Sequence, residues 1–339
     1  MLIMHTIRWG VLSTAAIGIH KVIPAMQAGS LTRVDAIASR SLARAQAAAA
    51  DLGIARAYGS YEELLADPEI DAIYNPLPNP LHVPWTIRAA EAGKHVLCEK
   101  PLGMNAADAA RLLEVEQRTG VRIGEAFMVR TAPQWVRTEE LLQLGTIGRL
   151  LAISGVFSYH NTDPENIRNR METGGGALLD IGCYMIHAAR HAFGGEPLRV
   201  VGSIDRDPQS GVDRLTSAML EFAAGHAIFT CSTQMIPYQR IHFLGETGRI
   251  EIEIPFNMPP DRATRIFVDG EGDLYGSKVR VESFPACDQY TLQGDAFARA
   301  ILGNGAVPVP ILDGVRNLAV IDAVFASARN GGWETPLRF

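Results

Sequence analysis

Lysine is scarce in this chain: of its 31 basic residues, Lys21, Lys94, Lys100 and Lys278 are the lysines and the rest are arginines. There is no basic excess either. The formal net charge is −6 and no cluster of Lys and Arg offsets it, so the footprint of a nucleic-acid partner is missing. The four cysteines, Cys98, Cys183, Cys231 and Cys287, are scattered without a CxxC pair. That spacing argues against a disulfide framework and against a zinc or other metal site, and it fits thiols kept in a reducing, cytoplasmic setting. No stretch approaches roughly 18 consecutive apolar residues, so no membrane span is expected. The opening "MLIMHTIRWGVLS" has no basic region ahead of a long apolar run and reads as a first strand, not a signal peptide.

What the chain does contain is alternation. At 339 residues and 47% hydrophobic content it is long enough for two cores. In the first third, strand-like runs ("TIRWGVLS", "RVDAIASR", "IDAIYNPLP", "HVLCEK", "VRIGEAFMV") alternate with helical ones. Ser41 and Asn105 stand as N-caps, and Gly29 and Gly53 as helix ends. Such alternation implies parallel βαβ units and an α/β doubly wound sheet over residues 1–128. Beyond that the pattern shifts to strands joined by "AAG", "GETG" and "GEGD", with a long helix, "ALLDIGCYMIHAARHAFG", after a Gly-rich break and two closing helices. Residues 129–339 therefore read as an α+β domain on a large, mostly antiparallel open sheet.

The first βα turn, "WGVLSTAAIGIH", is where a dinucleotide-binding fold needs small residues, because the pyrophosphate must approach the backbone at the helix N-terminus. The fingerprint positions fall on Ser13, Ala15 and Gly18, and Thr14, Ala16 and Ile17 complete the candidate loop. The second strand ends in "IASRS". An NAD site usually carries a carboxylate there for the ribose 2′-hydroxyl, whereas this chain offers Ser39 and Arg40, with Arg44 a turn later. Arginine forks onto a 2′-phosphate, so the expected cofactor is NADP(H), with NAD(H) as the alternative.

In a doubly wound sheet, ligands sit beyond the carboxyl ends of the strands. That places Asn75, Pro76, Leu77, Asn79, His82, Glu99 and Lys100 as candidate cofactor contacts. Pro101 restricts the backbone of Lys100. Lysine, unlike arginine, can be tuned towards neutrality when desolvated, which suits an acid–base role at a strand end. On the long helix, Asp180, Tyr184 and His187 recur at i, i+4 and i+7, and a neighbouring cation would let the Tyr184 hydroxyl relay a proton. His187 fits a core histidine as well as a substrate contact.

Together "EKP", "GGGALLDIGCY" and "YNPLPNPLH" resemble the Gfo/Idh/MocA family of glucose–fructose oxidoreductase and inositol dehydrogenase, over essentially the whole chain. Asp180 followed by Tyr184, where most of that family has His, resembles the branch of dimeric dihydrodiol dehydrogenases and NADP-dependent D-xylose 1-dehydrogenases. The resemblance implies a Rossmann domain followed by an open-sheet domain that makes a homodimer or homotetramer. It also implies a nicotinamide ring between Lys100 and the helix of Asp180 and Tyr184. Lys100 would orient the substrate oxygen, Tyr184 would exchange its proton during hydride transfer, and Asp180 would hold substrate hydroxyls, the substrate being a sugar or cyclic diol. Tyr290 resembles a position near the cofactor. The loop "NTDPENIRNR" offers Arg168 to the cofactor and Asn161 and Asn169 to the substrate, with Met128 and Phe157 as an apolar wall. Two alternatives stay open: an NADP-sensing regulator without turnover, and an aldose–aldose oxidoreductase that keeps its NADP bound.

Overall fold

The computed structural model describes residues 6–339, so the expectation for "MLIMH" lies outside the described residues. The chain forms two compact units.

The first unit begins with β1 (Ile7–Leu12), a wide helical turn of i→i+5 bonding at Gly18–Val22, and α1 (Ile23–Gln27). It continues through β2 (Thr32–Ala38), α2 (Leu42–Leu52), β3 (Arg56–Tyr58), α3 (Tyr61–Leu65), β4 (Ala72–Asn75), α4 (His82–Glu91), β5 (His95–Cys98), α5 (Ala106–Thr119) and β6 (Ile123–Glu125). The strands stand in the order β3-β2-β1-β4-β5-β6, all parallel. This is the doubly wound order that opens a crevice at the β1/β4 reversal.

Local chemistry sets the helix ends. The Ser41 hydroxyl accepts from Arg44 N–H at the start of α2, and Asn105 accepts from Asp108 N–H at the start of α5. Both helices close on a left-handed glycine, Gly53 (φ 65°) and Gly120 (φ 71°). β3 has no counterpart in the sequence expectation, because three half-buried residues carry no readable period. It is held by pairing with β2 and by Arg56, which meets Asp67 at 2.7 Å. Lys94, one of the rare lysines, is buried and donates to the carbonyls of Asp67 (2.6 Å) and Ile70 (2.8 Å).

In the second unit, α6 (Pro133–Gln143) precedes β7 (Leu150–His160). A second wide turn at Leu178–Gly182 then opens α7 (Cys183–Phe193). Seven strands follow: β8 (Arg199–Arg206), β9 (Asp213–Phe222), β10 (Gly225–Ser232), β11 (Gln234–Gly245), β12 (Arg249–Ile252), β13 (Thr264–Asp269) and β14 (Arg280–Phe284). The eight-stranded sheet runs β14-β13-β12-β11-β7-β10-β9-β8, antiparallel except for β7 beside β10. One face packs on helices so closely that a Cβ on Gly155 would collide with Met185. The other face leaves Ile228, Ile236 and Tyr238 exposed.

The chain then returns. α8 (Gln289–Ile301) belongs to the first unit, as do residues 288–315 as a whole, whereas α9 (Ile311–Asn330) passes from the first unit to the second at Arg316. A single cut after residue 128 therefore differs from the observed division, which follows packing and not chain order. Phe297 of α8 lies in the first unit's core, its ring 5.8 Å from that of Trp9, among Val11, Ile37, Tyr74 and Leu97. Burying each such side chain contributes about 1.5–3 kcal/mol, enough to tie α8 to this core.

Candidate functional site

On the first unit the candidate loop begins with Ser13, whose φ of 77° is the left-handed conformation that a glycine would take more cheaply. Its N–H donates to Ala38 O at 2.9 Å, and its hydroxyl accepts from Ala15 N–H at 3.2 Å. Serine thus reproduces the glycine turn and fastens it with its own side chain. A Cβ on Gly18 would meet Pro76 and Tyr74 only at ordinary contact distance, so space alone does not demand glycine there. Thr14 and Ala15 complete the turn, and Ala16 and Ile17 already have helical backbone ahead of the wide turn at Gly18–Val22. This small-residue turn fits a dinucleotide pyrophosphate.

At the end of β2, Ser39 is buried, and its N–H donates to Tyr58 O at 3.1 Å. Arg40 is exposed, beside the phenol of Tyr61. Burial raises the Tyr61 pKa, and the charge and hydrogen bond of Arg40 oppose that rise. Arg44 is exposed on the first turn of α2, and no acidic residue stands between Ser39 and Arg44. The donor set suits a phosphate more than a bare ribose hydroxyl.

Beyond β4 and β5 the expected residues divide. Asn75 is fully buried. Its amide donates to His82 O and Thr86 Oγ1, both at 3.1 Å, and its Oδ1 accepts from Leu77 N–H at 3.3 Å. His82, also buried, places Nδ1 2.7 Å from Pro101 O and Nε2 2.6 Å from Leu77 O. Burial, aided by the charge of Lys100, pulls its pKa down to about 4, against the two carbonyl contacts, which raise it. Asn75 and His82, expected as cofactor contacts, instead turn inward and fasten the turn of Pro76 and Leu77 to the Lys100–Pro101 turn, whose peptide is cis. Pro76 and Leu77 are buried, and Asn79 is half-buried at the single turn that leads into α4. Glu99 Oε1 accepts from the Tyr74 hydroxyl at 2.7 Å, and Glu99 Oε2 accepts from Lys100 N–H at 3.2 Å. Lys100 is half-buried at this turn. Met128 is buried, and turning the Gln293 amide over lets its oxygen accept from Met128 N–H at 3.1 Å. Tyr290 packs on the first unit's core, with its N–H capped by Asp288 at 2.8 Å.

On the second unit, Asp180 lies within the wide turn that opens α7. Its Oδ2 accepts from the Tyr159 hydroxyl at 2.6 Å and from Arg168 Nε at 3.1 Å. Tyr184 is buried one turn on, its ring 5.8 Å from Phe157 and 5.3 Å from Phe256. His187 is buried deeper and lies nearly parallel to His191, with centroids 6.3 Å apart. The face expected from α-helical spacing is thus bent by the i→i+5 turn, a device common at functional sites. Asn161 and Asn169 bond to each other at 3.1 Å and to Asp163, so they brace the loop that delivers Arg168.

Three residues of this region were not anticipated: Tyr159, Phe256 and Asp213. Asp213 Oδ2 accepts from Leu178 N–H at 2.7 Å and from the Thr216 hydroxyl at 3.0 Å, which anchors the start of the Asp180 turn. Gly176 has φ 114°, and a Cβ there would collide with the Asp213 carboxylate. Burial lifts the Asp213 pKa to about 6. The one sequence signal was an acidic residue opening the strand-like run "DRLTSAMLEF". Among the described residues, no group of His, Cys, Asp and Glu could hold a metal ion, and no helix is long and apolar enough to cross a membrane.

Residues 7–127 match the family model described as an oxidoreductase family with an NAD-binding Rossmann fold, and residues 135–251 match that of the GFO/IDH/MocA C-terminal domain. The chain is 46% identical to the uncharacterized oxidoreductase ORF334 of Rhizobium meliloti, over 98% of this chain and 100% of that protein. It is 39% identical to D-xylose 1-dehydrogenase (NADP(+)) 2 of Haloferax volcanii, over 95% and 98% respectively. Among solved structures it resembles KijD10, a 3-ketoreductase of Actinomadura kijaniata in complex with NADP and TDP-benzene. That likeness has a TM-score of 0.87 and 32% identity, and covers 95% of this chain and 98% of that one.

Proposed function

The chain belongs to the GFO/IDH/MocA oxidoreductase family, and on that footing we propose that it transfers hydride between NADP(H) and a CH–OH or C=O carbon of a sugar or cyclic diol. The observation that carries the cofactor choice is the exposed Arg40 at the end of β2, with no carboxylate between Ser39 and Arg44. The names of the Haloferax xylose dehydrogenase and of the Actinomadura ketoreductase complex support both the cofactor and the substrate class. In this reading residues 13–17 hold the pyrophosphate at the helix opening, and Ser39, Arg40 and Arg44 hold the 2′-phosphate.

When bound, the nicotinamide supplies the hydride donor or acceptor. Lys100 donates to the substrate oxygen and fixes its direction. Tyr184 gives or takes the hydroxyl proton, and its aromatic surroundings exclude water from that transfer. Asp180, held on one oxygen by Tyr159 and Arg168, accepts from substrate hydroxyls. The deciding experiment follows NADPH formation with a panel of aldoses, inositols and trans-dihydrodiols. Lys100→Met and Tyr184→Phe should each lower kcat about 10²–10⁴-fold, and parental rates in both would remove the assigned roles.

Two finer points belong to the same proposal. The exposed sheet face bearing Ile228, Ile236 and Tyr238 pairs with further copies of the chain in a homodimer or homotetramer. A monomer by sedimentation at micromolar concentration would refute that. The protein works in the cytoplasm, where the buried Cys98, Cys183 and Cys231 stay as thiols.

A further inference from the structure

Tyr74 is the penultimate residue of β4 and is fully buried. Its ring fills the first unit's core beneath the dinucleotide turn, where a Cβ on Gly18 would stand 3.9 Å from it. A phenylalanine would fill this place at less cost, because a buried hydroxyl must find a partner. The partner here is specific: the Tyr74 hydroxyl donates to Glu99 Oε1 at 2.7 Å. The second carboxylate oxygen, Oε2, accepts from the N–H of Lys100 at 3.2 Å, and Glu99 N–H itself donates to Asn75 O at 3.0 Å. One buried hydroxyl therefore holds a carboxylate whose other oxygen holds the peptide from which the Lys100 side chain departs.

We propose that Tyr74 is a positioning residue for the hydride-transfer reaction, acting through Glu99 to set the direction of the Lys100 amine. The proposal rests on the reading of Lys100 given above. It also assigns Glu99 a task within the protein, where the residue types alone leave it between a cofactor contact and a structural partner. The direction of the bond is settled: burial, and then the charge of Glu99, push the Tyr74 hydroxyl far above its ordinary range, so it remains a donor throughout the working pH range. A charge-assisted bond of this kind is short and directional, and its loss removes one of the bonds that hold the Glu99 carboxylate in place.

Tyr74→Phe deletes the hydroxyl and keeps the ring. In the full-length protein with NADP and the best substrate of the panel, kcat should fall between about 10- and 100-fold, the scale on which small misplacements of a reacting group act. The NADP Kd should stay within about 2-fold, since the dinucleotide turn is untouched, and the pH profile of kcat should shift as the amine loses its fixed surroundings. A merely structural tyrosine would lower thermal stability and leave the pH profile in place. If Tyr74→Phe does not fold, Glu99→Gln serves, because it removes the charge and one of the two acceptors and should give the same split between kcat and cofactor affinity. Parental kcat and pH profile in the folded variant would overturn the proposal. A Lys100→Met enzyme at parental rate would overturn the role of Lys100 and this link together. A crippled Lys100→Met beside a parental Tyr74→Phe would overturn the link alone.

Discussion

The hydroxyl of Tyr159 lies 2.6 Å from Asp180 Oδ2, and Arg168 Nε approaches the same oxygen at 3.1 Å. One oxygen of the carboxylate is thus held from two sides, by a strand residue and a loop residue. Burial first, and then the charge of Asp180, raise the Tyr159 hydroxyl far above its ordinary range, so it acts as a permanent donor. Tyr159→Phe keeps the ring and removes the bond. Steady-state kinetics should show kcat/KM about 10-fold lower, mainly through KM, with cofactor affinity unchanged.

Cofactor choice is tested at Arg40. Arg40→Ala should raise the Kd for NADP(H) about 10- to 100-fold, the scale of a lost hydrogen bond to a charged group, and leave that for NAD(H) within about 2-fold. Fluorescence titration of both dinucleotides reads the ratio. An unchanged preference would move the 2′-phosphate away from β2.

His82 should make the protein acid-sensitive. Its folded pKa of about 4 lies below the ordinary 6.5, so the unfolded chain binds the extra proton first and acidification favours unfolding. The contribution is intact above about pH 6.5 and is lost progressively as pH falls to about 4, at no more than about 1.4 kcal/mol per pH unit. In urea titrations between pH 7 and 5, His82→Gln should lose less stability than the parent.

Asp213 should behave with the opposite sign. Its folded pKa of about 6 lies above the ordinary 3.8, so the native state binds the extra proton and gains stability on acidification. That gain is complete below about 3.8 and gone once pH has risen through about 6. Asp213→Asn removes the dependence. Relative to the parent it should be more favourable at pH 8 than at pH 5, by about 1.4 kcal/mol, and parallel stability curves would contradict this.

The doubly wound unit was legible because its signals are local. Ser41 and Gly53 bound α2, Asn105 opens α5, and apolar runs mark the central strands. The left-handed turn at Ser13 was legible by position, although the residue is not glycine. What the residue order hides is direction and distance. Asn75 and His82 carry the polarity of ligand contacts, yet both point inward, and nothing in "YNPLPNPLH" says so. Tyr159 and Asp180 are 21 positions apart, and Leu178 and Asp213 are 35 apart, so no spacing rule joins them. The three-residue β3 is too short for a period to show.

The return of residues 288–315 bears on how this protein can be divided. Asp295 of α8 accepts from Ser30 N–H (3.0 Å), the Ser30 hydroxyl (2.7 Å) and Leu31 N–H (2.9 Å), and Phe297 lies against Trp9. A gene fragment stopped at codon 131 would encode a nucleotide-binding half with Trp9 bared and three donors orphaned. Chimaeras that exchange the N-terminal half between relatives must therefore carry α8 along with it, or they will fail for reasons unconnected with catalysis.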